Sequence, residues 1–261
     1  MASDAQSCAY SAKEMMVISA ARMITDQDIV FCGTGISMLA AVAAKHIYAP
    51  GAVVFFESGA IDAKLAHLPL AVSDSRVMYG AAAFCSLVEA FSFMQNPKTG
   101  DRIVGIIGAA QIDPFGNLNS TMIGDYGRVR ARFPGSGGAC DLASFVNTVL
   151  VFMKLEKRKF VERLDYLTSP GWQPKGKSRE EAGLRARGPA AVITDMGIMK
   201  FDRVTCQMYL DRYFPGVVPE DIKSRVGFDL DVSRAVRADP PGEKALSILR
   251  TTTDPEKLIL D

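Results

Sequence analysis

The sequence has few of the residues that bind metals or form disulfides. Its 261 residues include two histidines and five cysteines. The cysteines are scattered without a CxxC pair, and His46 and His67 lack ligand spacing to each other or to a cysteine. Structural zinc sites need closely spaced thiolates and imidazoles, so this pattern argues against a metal centre. It also predicts reduced thiols rather than a disulfide framework.

Charge imbalance and long apolar runs are missing as well. A net charge of +1 gives no general electrostatic case for binding nucleic acid or an anionic membrane. No apolar run approaches the ~20 residues that a membrane-spanning helix needs. Residues 1–6 lack the basic and apolar regions of a signal peptide, so we expect a cytoplasmic protein. Without an internal repeat or a sharp linker, we expect residues 1–261 to form one domain.

Helix-like and strand-like segments alternate along the chain. Ser11 and Glu14 have capping-box spacing, and the stripe Met16, Ala20 and Ile24 predicts an amphipathic helix behind them. Further helices are predicted over 38–47 and 243–250. The predicted strands are 29–32, 53–57, 103–108, 148–153 and 190–195. This alternation is typical of an α/β fold with a parallel sheet and crossover helices.

Glu57 ends the buried-strand pattern of residues 53–57, and Ser58 and Gly59 follow it at once. The carboxyl ends of parallel strands are where open α/β sheets bind ligands. Gly59 would allow a close approach to the backbone. A carboxylate in this place is predicted to accept a hydrogen bond from a ligand or to react.

A glycine pair, Gly33 and Gly35, lies between the first predicted strand and the helix that follows it. Glu57 follows about 20 residues later, which is the spacing of a dinucleotide-binding fingerprint. Met38 occupies the place of the third glycine, where it would hold the helix away from the strand. On this motif alone, a tight turn without a ligand is favoured over nicotinamide or flavin binding.

Glycines cluster at Gly135, Ser136, Gly137, Gly138 and Ala139. Such a backbone can turn several amides toward one point and bind a phosphate or a developing oxyanion. The alternative is a flexible surface loop. Two flanking features favour binding: arginines precede the cluster, and residues 140–143 could open a helix that adds its positive end.

Two other features have a functional and a plain interpretation. The loop 174–188 contains Lys175, Lys177, Arg179, Arg185 and Arg187 and could meet phosphates, although a charge run is usually a solvated face. A cysteine at a helix start, such as residue 140, can have a lowered pKa but is more often a small buried filler.

Taken together, these segments resemble the B-type subunit of class I coenzyme A transferases. Each motif alone is weak, and their common order along the chain is specific. The matching motifs are 30–35, 48–50, 57–59, 108–121, 135–139, 165–172, 194–198 and 227–231.

The resemblance implies an open, mostly parallel sheet flanked by helices, the CoA-transferase (NagB/RpiA-like) fold. It implies that Glu57 is the catalytic nucleophile and passes through a glutamyl-CoA thioester. It further implies an oxyanion hole or CoA-binding loop at 135–139, with Ser58, Gly59, Gln111 and Asn119 near the substrate. Coenzyme A is then a substrate rather than a bound cofactor, a carboxylic acid is the acceptor, and an A-type subunit is the partner.

Three other functions remain as alternatives. Related scaffolds without the glutamate hydrolyse or decarboxylate CoA esters, so the presence of Glu57 favours transfer. A non-catalytic partner subunit would not need both the glutamate and the glycine loop. A dinucleotide-dependent oxidoreductase is disfavoured by Met38. The acyl group stays open, with a dicarboxylate such as glutaconate as the family default.

Overall fold

The computed structural model describes residues 9–65, 67–173, 178–185 and 187–260. The helices are α1 (Ala12–Ala21), α2 (Ile36–Ile47), α3 (Leu87–Gln95), α4 (Pro97–Gly100), α5 (Ala139–Phe145), α6 (Pro219–Ser224) and α7 (Glu243–Ile248). The strands are β1 (Ile29–Cys32), β2 (Val53–Phe55), β3 (Ala60–Ile61), β4 (Ala83–Phe84), β5 (Ile103–Gly108), β6 (Gln111–Ile112), β7 (Leu118–Asn119), β8 (Met122–Asp125), β9 (Arg128–Arg132), β10 (Thr148–Phe152), β11 (Ala191–Ile193), β12 (Gly197–Phe201), β13 (Met208–Tyr213) and β14 (Val236–Arg237).

Ten of these strands form one sheet in the order β14-β13-β12-β11-β10-β5-β1-β2-β3-β4. Its centre consists of the five strands that the sequence predicts, and they pair in parallel from β2 through β1, β5 and β10 to β11. The predicted α/β class with a mostly parallel sheet is therefore confirmed. Antiparallel strands extend the sheet at both edges: β12 and β13 on one side, β3 and β4 on the other.

Helices cover both faces of the sheet because alternate strand residues point in opposite directions. Val30 and Cys32 join a core that includes α1 and α2. Phe31 between them joins the opposite core, with residues of α3, α5 and α6. Burial on both faces explains why the central strands are continuous apolar runs.

Helix α1 differs from its expected amphipathic form. Its capping box is present, with the Glu14 amide donating to Ser11 Oγ and the Ser11 amide donating to the Glu14 carboxylate. Every residue from Glu14 to Ala21 is nevertheless buried, not only the predicted stripe. Helix α2 and the C-terminal residues Ile259 and Leu260 pack around the same core, so α1 has no wide solvent face. None of the helices within the described ranges is long and apolar enough to cross a membrane.

Candidate active site

Glu57 lies at the corner of a tight turn between β2 and β3. The Gly59 amide donates to the Phe56 carbonyl at 2.9 Å, and the Phe56 amide donates to the Ala60 carbonyl at 3.0 Å. The strand ends at Phe55, two residues earlier than the sequence predicts. Glu57 is half-buried and Ser58 is exposed. Within the described part of the chain, the Glu57 carboxylate has no hydrogen-bond or ion-pair partner, so it is available to a ligand.

Gly59 holds this turn in place through a close contact within the chain. Its φ is +92°, and a Cβ built on it would lie 1.8 Å from the carbonyl oxygen of Cys85. The Cys85 amide donates to the Gly59 carbonyl at 2.9 Å. The close approach that the sequence assigned to a ligand is therefore made by Cys85, which precedes α3. The glycine fixes where Glu57 lies.

Some backbone amides of the glycine loop are hydrogen-bonded within the described part of the protein, and others are free. The Gly135 amide donates to the Ser120 carbonyl, and the Ala139 amide donates to the Ser136 carbonyl. By contrast, the amides of Ser136, Gly137 and Gly138 find no acceptor among the residues described. Positive φ angles of +93° at Gly135 and +49° at Gly137 shape the loop. Three of the five predicted residues thus present free donors, and the other two anchor them.

The predicted helix after the glycine cluster is α5, with Gly138 as its N-cap. Cys140 lies in its first turn, half-buried, and donates its amide to Ser136 Oγ at 3.1 Å. This bond satisfies one of the amides that a helix start leaves unpaired. It also fixes the start of the helix relative to the loop.

Aromatic side chains connect the glycine loop to the strand that carries Glu57. A Cβ at Gly138 would lie 3.3 Å from the Phe91 ring and 3.4 Å from the Phe31 ring. Phe31 pairs with Phe55 in the sheet, and their ring centroids are 4.9 Å apart. The loop and the Glu57 turn therefore lie at the same carboxyl edge of the sheet, supported by neighbouring strands.

Gln111 and Asn119, two predicted substrate-proximal residues, pack against each other. Asn119 is fully buried, and its Nδ2 donates to Gln111 Oε1 and to the Met122 carbonyl, both at 2.7 Å. Its Oδ1 accepts from the amides of Thr121 and Met122. Every polar atom of the Asn119 side chain is hydrogen-bonded within the chain, so none is free for a substrate. Asn119 instead holds the carboxamide of Gln111 in position.

The described part of the basic loop, residues 178–185 and 187–188, is only partly exposed. Arg179 is 2% exposed and donates to backbone carbonyls of Ala143 and Gly171, among others. Burial lowers the pKa of its guanidinium to about 10. Arg185 pairs with Asp101 at 3.3 Å. Arg187 is exposed, while Lys175 and Lys177 lie outside the described residues. Arg179 thus connects residues 178–185 to α5.

The sequence pattern did not reveal a basic cavity of about 750 Å³ beside the glycine loop. Gly135 and Gln111 line it together with Arg130, Arg158 and Lys159. Of the three cations, only Arg130 lies in a segment that the sequence analysis noted, among the arginines before the glycine cluster. The run of cations at 157–159 was the available signal for the others. Among the described residues, no group of three or more His, Cys, Asp or Glu side chains is placed to hold a metal ion.

A family model, two related sequences and a solved structure all indicate the same protein family. The family model described as "Coenzyme A transferase" matches residues 13–225. The B-type subunit of glutaconate CoA-transferase from Acidaminococcus fermentans is 41% identical over 94% of this chain and 93% of its own length. The B-type subunit of 3-oxoadipate CoA-transferase from Pseudomonas knackmussii is 36% identical over 93% of each chain. The crystal structure of glutaconate CoA-transferase from A. fermentans superimposes with a TM-score of 0.92 at 39% identity, covering 97% of this chain and 98% of the other.

Proposed function

The chain belongs to the coenzyme A transferase family, as a relative of its B-type subunits, and we propose that it moves CoA between an acyl-CoA and a carboxylic acid together with an A-type subunit. One observation carries the proposal. An unpaired carboxylate, Glu57, and the three unpaired amides of residues 136–138 lie at the same edge of the sheet within the described part of the chain. A nucleophile beside preformed oxyanion donors is what acyl transfer requires.

In the first step, a Glu57 carboxylate oxygen attacks the thioester carbonyl carbon of the donor. A C–O bond forms, the C–S bond breaks, and CoA leaves as the thiolate while the acyl group stays on Glu57 as a mixed anhydride. The thiolate then attacks the Glu57 carbonyl carbon. A new C–S bond forms, the anhydride C–O bond breaks, and the donor acid leaves as its carboxylate. An acceptor carboxylate repeats both steps in reverse on the glutamyl-CoA thioester.

Each addition places negative charge on a carbonyl oxygen. The amides of Ser136, Gly137 and Gly138 would donate to that oxygen, and they need no reorganisation because the loop and α5 already hold them. Removal of one such donor typically costs ~10²–10³ in rate. A carboxylate suits this exchange because an anhydride keeps the acyl group activated, whereas an ester to serine would be too stable to return it to CoA.

Glu57→Ala tests the proposal, with Glu220→Ala as a matched control on an exposed helix start. We expect Glu57→Ala to abolish transfer between an acyl-CoA and an acid while assembly with the A-type subunit is unchanged. Glu220→Ala should keep full activity. Transfer by Glu57→Ala at the wild-type rate would refute the role of Glu57. More than one equivalent of free acid per active site formed without an acceptor, or loss of CO₂, would instead indicate the hydrolase or decarboxylase reaction.

Chemical trapping tests the intermediate directly. Borohydride or hydroxylamine should inactivate the enzyme only when acyl-CoA is present, because both attack the glutamyl thioester. Trypsin cleavage after Lys45 and Lys64 would isolate Glu57 in the peptide 46–64. Mass spectrometry should find the modification on that peptide. Modification elsewhere, or inactivation independent of acyl-CoA, would contradict the covalent route.

The proposed A-type partner is supported by apolar side chains near Glu57 that the chain leaves exposed. Phe84 is 58% exposed and Val88 is 75% exposed, on either side of the segment that contacts Gly59. Exposed apolar patches usually mark protein interfaces. Size-exclusion chromatography of the chain alone and of the co-expressed pair tests this. We expect an active hetero-oligomer and an inactive lone chain, and an active lone chain would contradict the proposal.

A further inference from the structure

The basic cavity of about 750 Å³ continues directly from the glycine loop. Gly135 and Ser120 line it on the side of the loop, and Ser120 Oγ donates to the Gly135 carbonyl at 2.8 Å. A substrate carbonyl held by the amides of residues 136–138 would therefore place the rest of its chain beside this opening. The cavity is much larger than one water molecule needs.

Gln111 lines the cavity with a free hydrogen-bond donor. It is 5% exposed, and its Oε1 accepts from Asn119 Nδ2 at 2.7 Å and from the Asp165 amide at 3.1 Å. Its Nε2 has no acceptor among the described residues. The two donors to Oε1 fix the orientation of the carboxamide, since the reverse orientation would place donors against donors. The NH₂ group therefore faces the cavity with no acceptor from the described chain, and it is open to a ligand or water.

The cations at the cavity outnumber the carboxylates that face them. Glu156 is shared by Arg158 at 2.7 Å, Lys154 at 3.6 Å and Lys159 at 3.9 Å. Arg130 lies 3.9 Å from Asp165, which is a loose pair. Arg128 and Arg132 lie on the same strand as Arg130, β9, and neither has an ion-pair partner within the described ranges. A local excess of positive charge on a chain with a net charge of only +1 favours an anionic ligand.

We infer that this cavity binds an anionic oxygen group of the acyl-CoA substrate, with the Gln111 NH₂ as a donor in the cavity wall and Arg130, Arg158 and Lys159 as the surrounding cations. The identity of the ligand rests on the proposed function. Two parts of an acyl-CoA carry such oxygens: the carboxylate at the far end of a dicarboxylic acyl group, and the phosphates of CoA. Asn119 acts through Gln111 as its positioning residue.

Two variants test this assignment on the co-expressed complex. Gln111→Glu keeps an oxygen that accepts from Asn119 and Asp165 but replaces the free NH₂ donor with a negatively charged oxygen. Arg130→Gln removes one exposed charge and should not disturb folding. Arg203→Gln is the matched control, because Arg203 is an exposed arginine that does not line the cavity. Thermal unfolding and co-purification check each variant, and if Gln111→Glu fails to fold, Arg130→Gln carries the test.

Binding is measured by calorimetry in the Glu57→Ala background, where no acyl-enzyme can form, with displacement titration for weak ligands. The ligands are glutaryl-CoA, butyryl-CoA, glutaryl-pantetheine and butyryl-pantetheine, which carry both anions, the phosphates only, the carboxylate only, and neither. We expect Gln111→Glu to weaken binding of the relevant anionic esters at least tenfold. Arg130→Gln should weaken it about threefold at low salt and less at high salt. Neither variant should alter the binding of butyryl-pantetheine.

The pattern of losses identifies the anion. Losses with both glutaryl esters assign the cavity to the distal carboxylate, and losses with both CoA esters assign it to the phosphates. Equal losses with all four esters, or no loss relative to Arg203→Gln, would overturn the inference. Equilibrium binding does not require Glu57 to react. Failure of the Glu57→Ala test and failure of this titration are therefore separate results.

Discussion

Among the described glycines, Gly59 is the one where an added Cβ would meet the closest neighbouring atom, so Gly59→Ala is expected to strain the backbone strongly. The new Cβ would lie 1.8 Å from the Cys85 carbonyl oxygen, whereas ordinary contact begins at 3.4 Å. The two backbone segments must therefore separate by about 1.6 Å, because backbone atoms cannot rotate away as a flexible side chain can. The left-handed φ of +92° adds strain, about 1–2 kcal/mol for a residue with a Cβ.

Separation of the segments also stretches the bond from the Cys85 amide to the Gly59 carbonyl, now 2.9 Å. Such a bond contributes about 1 kcal/mol. We therefore expect the free energy of unfolding to fall by about 3 kcal/mol. The shift also moves Glu57, two residues away in the same turn. Misplacement of a reacting group by about 1 Å can cost 10²-fold in rate. We expect kcat to fall about 100-fold, with little change in KM for the acyl-CoA.

Gly216→Ala is the matched control for this prediction. Gly216 has a φ of +87°, and a Cβ there would meet no atom within 4 Å. It lies between β13 and α6, away from the Glu57 turn. This variant therefore carries the strain of positive φ without the clash. Urea unfolding and steady-state kinetics of both variants separate the two effects. If Gly59→Ala is as stable and as active as Gly216→Ala, the proposed steric restraint on Glu57 is refuted.

Two further predictions concern stability. Arg179→Met leaves the buried carbonyls of 143 and 171 without their donor. Urea unfolding should therefore show that the free energy of unfolding falls by about 3 kcal/mol. Arg179→Lys should recover only part of this stability because an ammonium group cannot reach both carbonyls. A side-chain hydrogen bond from Arg250 lowers the pKa of Glu14 below its ordinary value of 4.5. The ion pair therefore stabilises the fold fully above pH 4.5. This stabilisation is lost as the pH falls through the lowered pKa. Glu14→Gln should thus reduce Tm at pH 7 and match the wild type at strongly acidic pH. An equal Tm deficit at all pH values, or full stability in Arg179→Met, would contradict these assignments.

The centre of the fold could be predicted because its signal is local. Each of the five parallel strands is a short apolar run ended by turn residues, and burial on both faces makes such runs continuous. The edge strands gave a weaker signal. β3 and β4 have two residues each, and β13 contains Asp211 and Arg212. Polar side chains are tolerated in β13 because one of its faces is less covered, so hydrophobic pattern alone does not detect this strand.

The candidate site was predictable only where chemistry follows residue type. Glu57 and the glycine loop could be selected as candidates because a carboxylate directly after a strand and a glycine cluster are recognisable in sequence. The role of Gly59 could not be found, because it depends on Cys85, which reaches it through the pairing of β3 with β4. The burial of Arg179 was missed for the same reason. A charged residue in a glycine-rich, basic segment is usually solvated, and its carbonyl partners on α5 and at 170–171 are brought to it only by the fold.

Two sets of donors that the described part of the chain leaves unpaired, the amides of 136–138 and Nε2 of Gln111, lie along one path through the molecule. The path begins with the amides of 136–138 near Glu57, passes Gly135 at the cavity mouth, and reaches the Nε2 atom of Gln111 inside the cavity. Each is held by neighbours whose own groups are satisfied: Ser120 for the loop and Asn119 for the carboxamide. Ser136 and Gly137 are not buried, and Gln111 Nε2 is not among the buried side-chain atoms that lack a partner in the described chain. Water can therefore pair with these donors until a ligand displaces it. An elongated molecule with a carbonyl oxygen at one end and an anionic oxygen further along would satisfy all of these donors at once, and an acyl-CoA has that arrangement of groups.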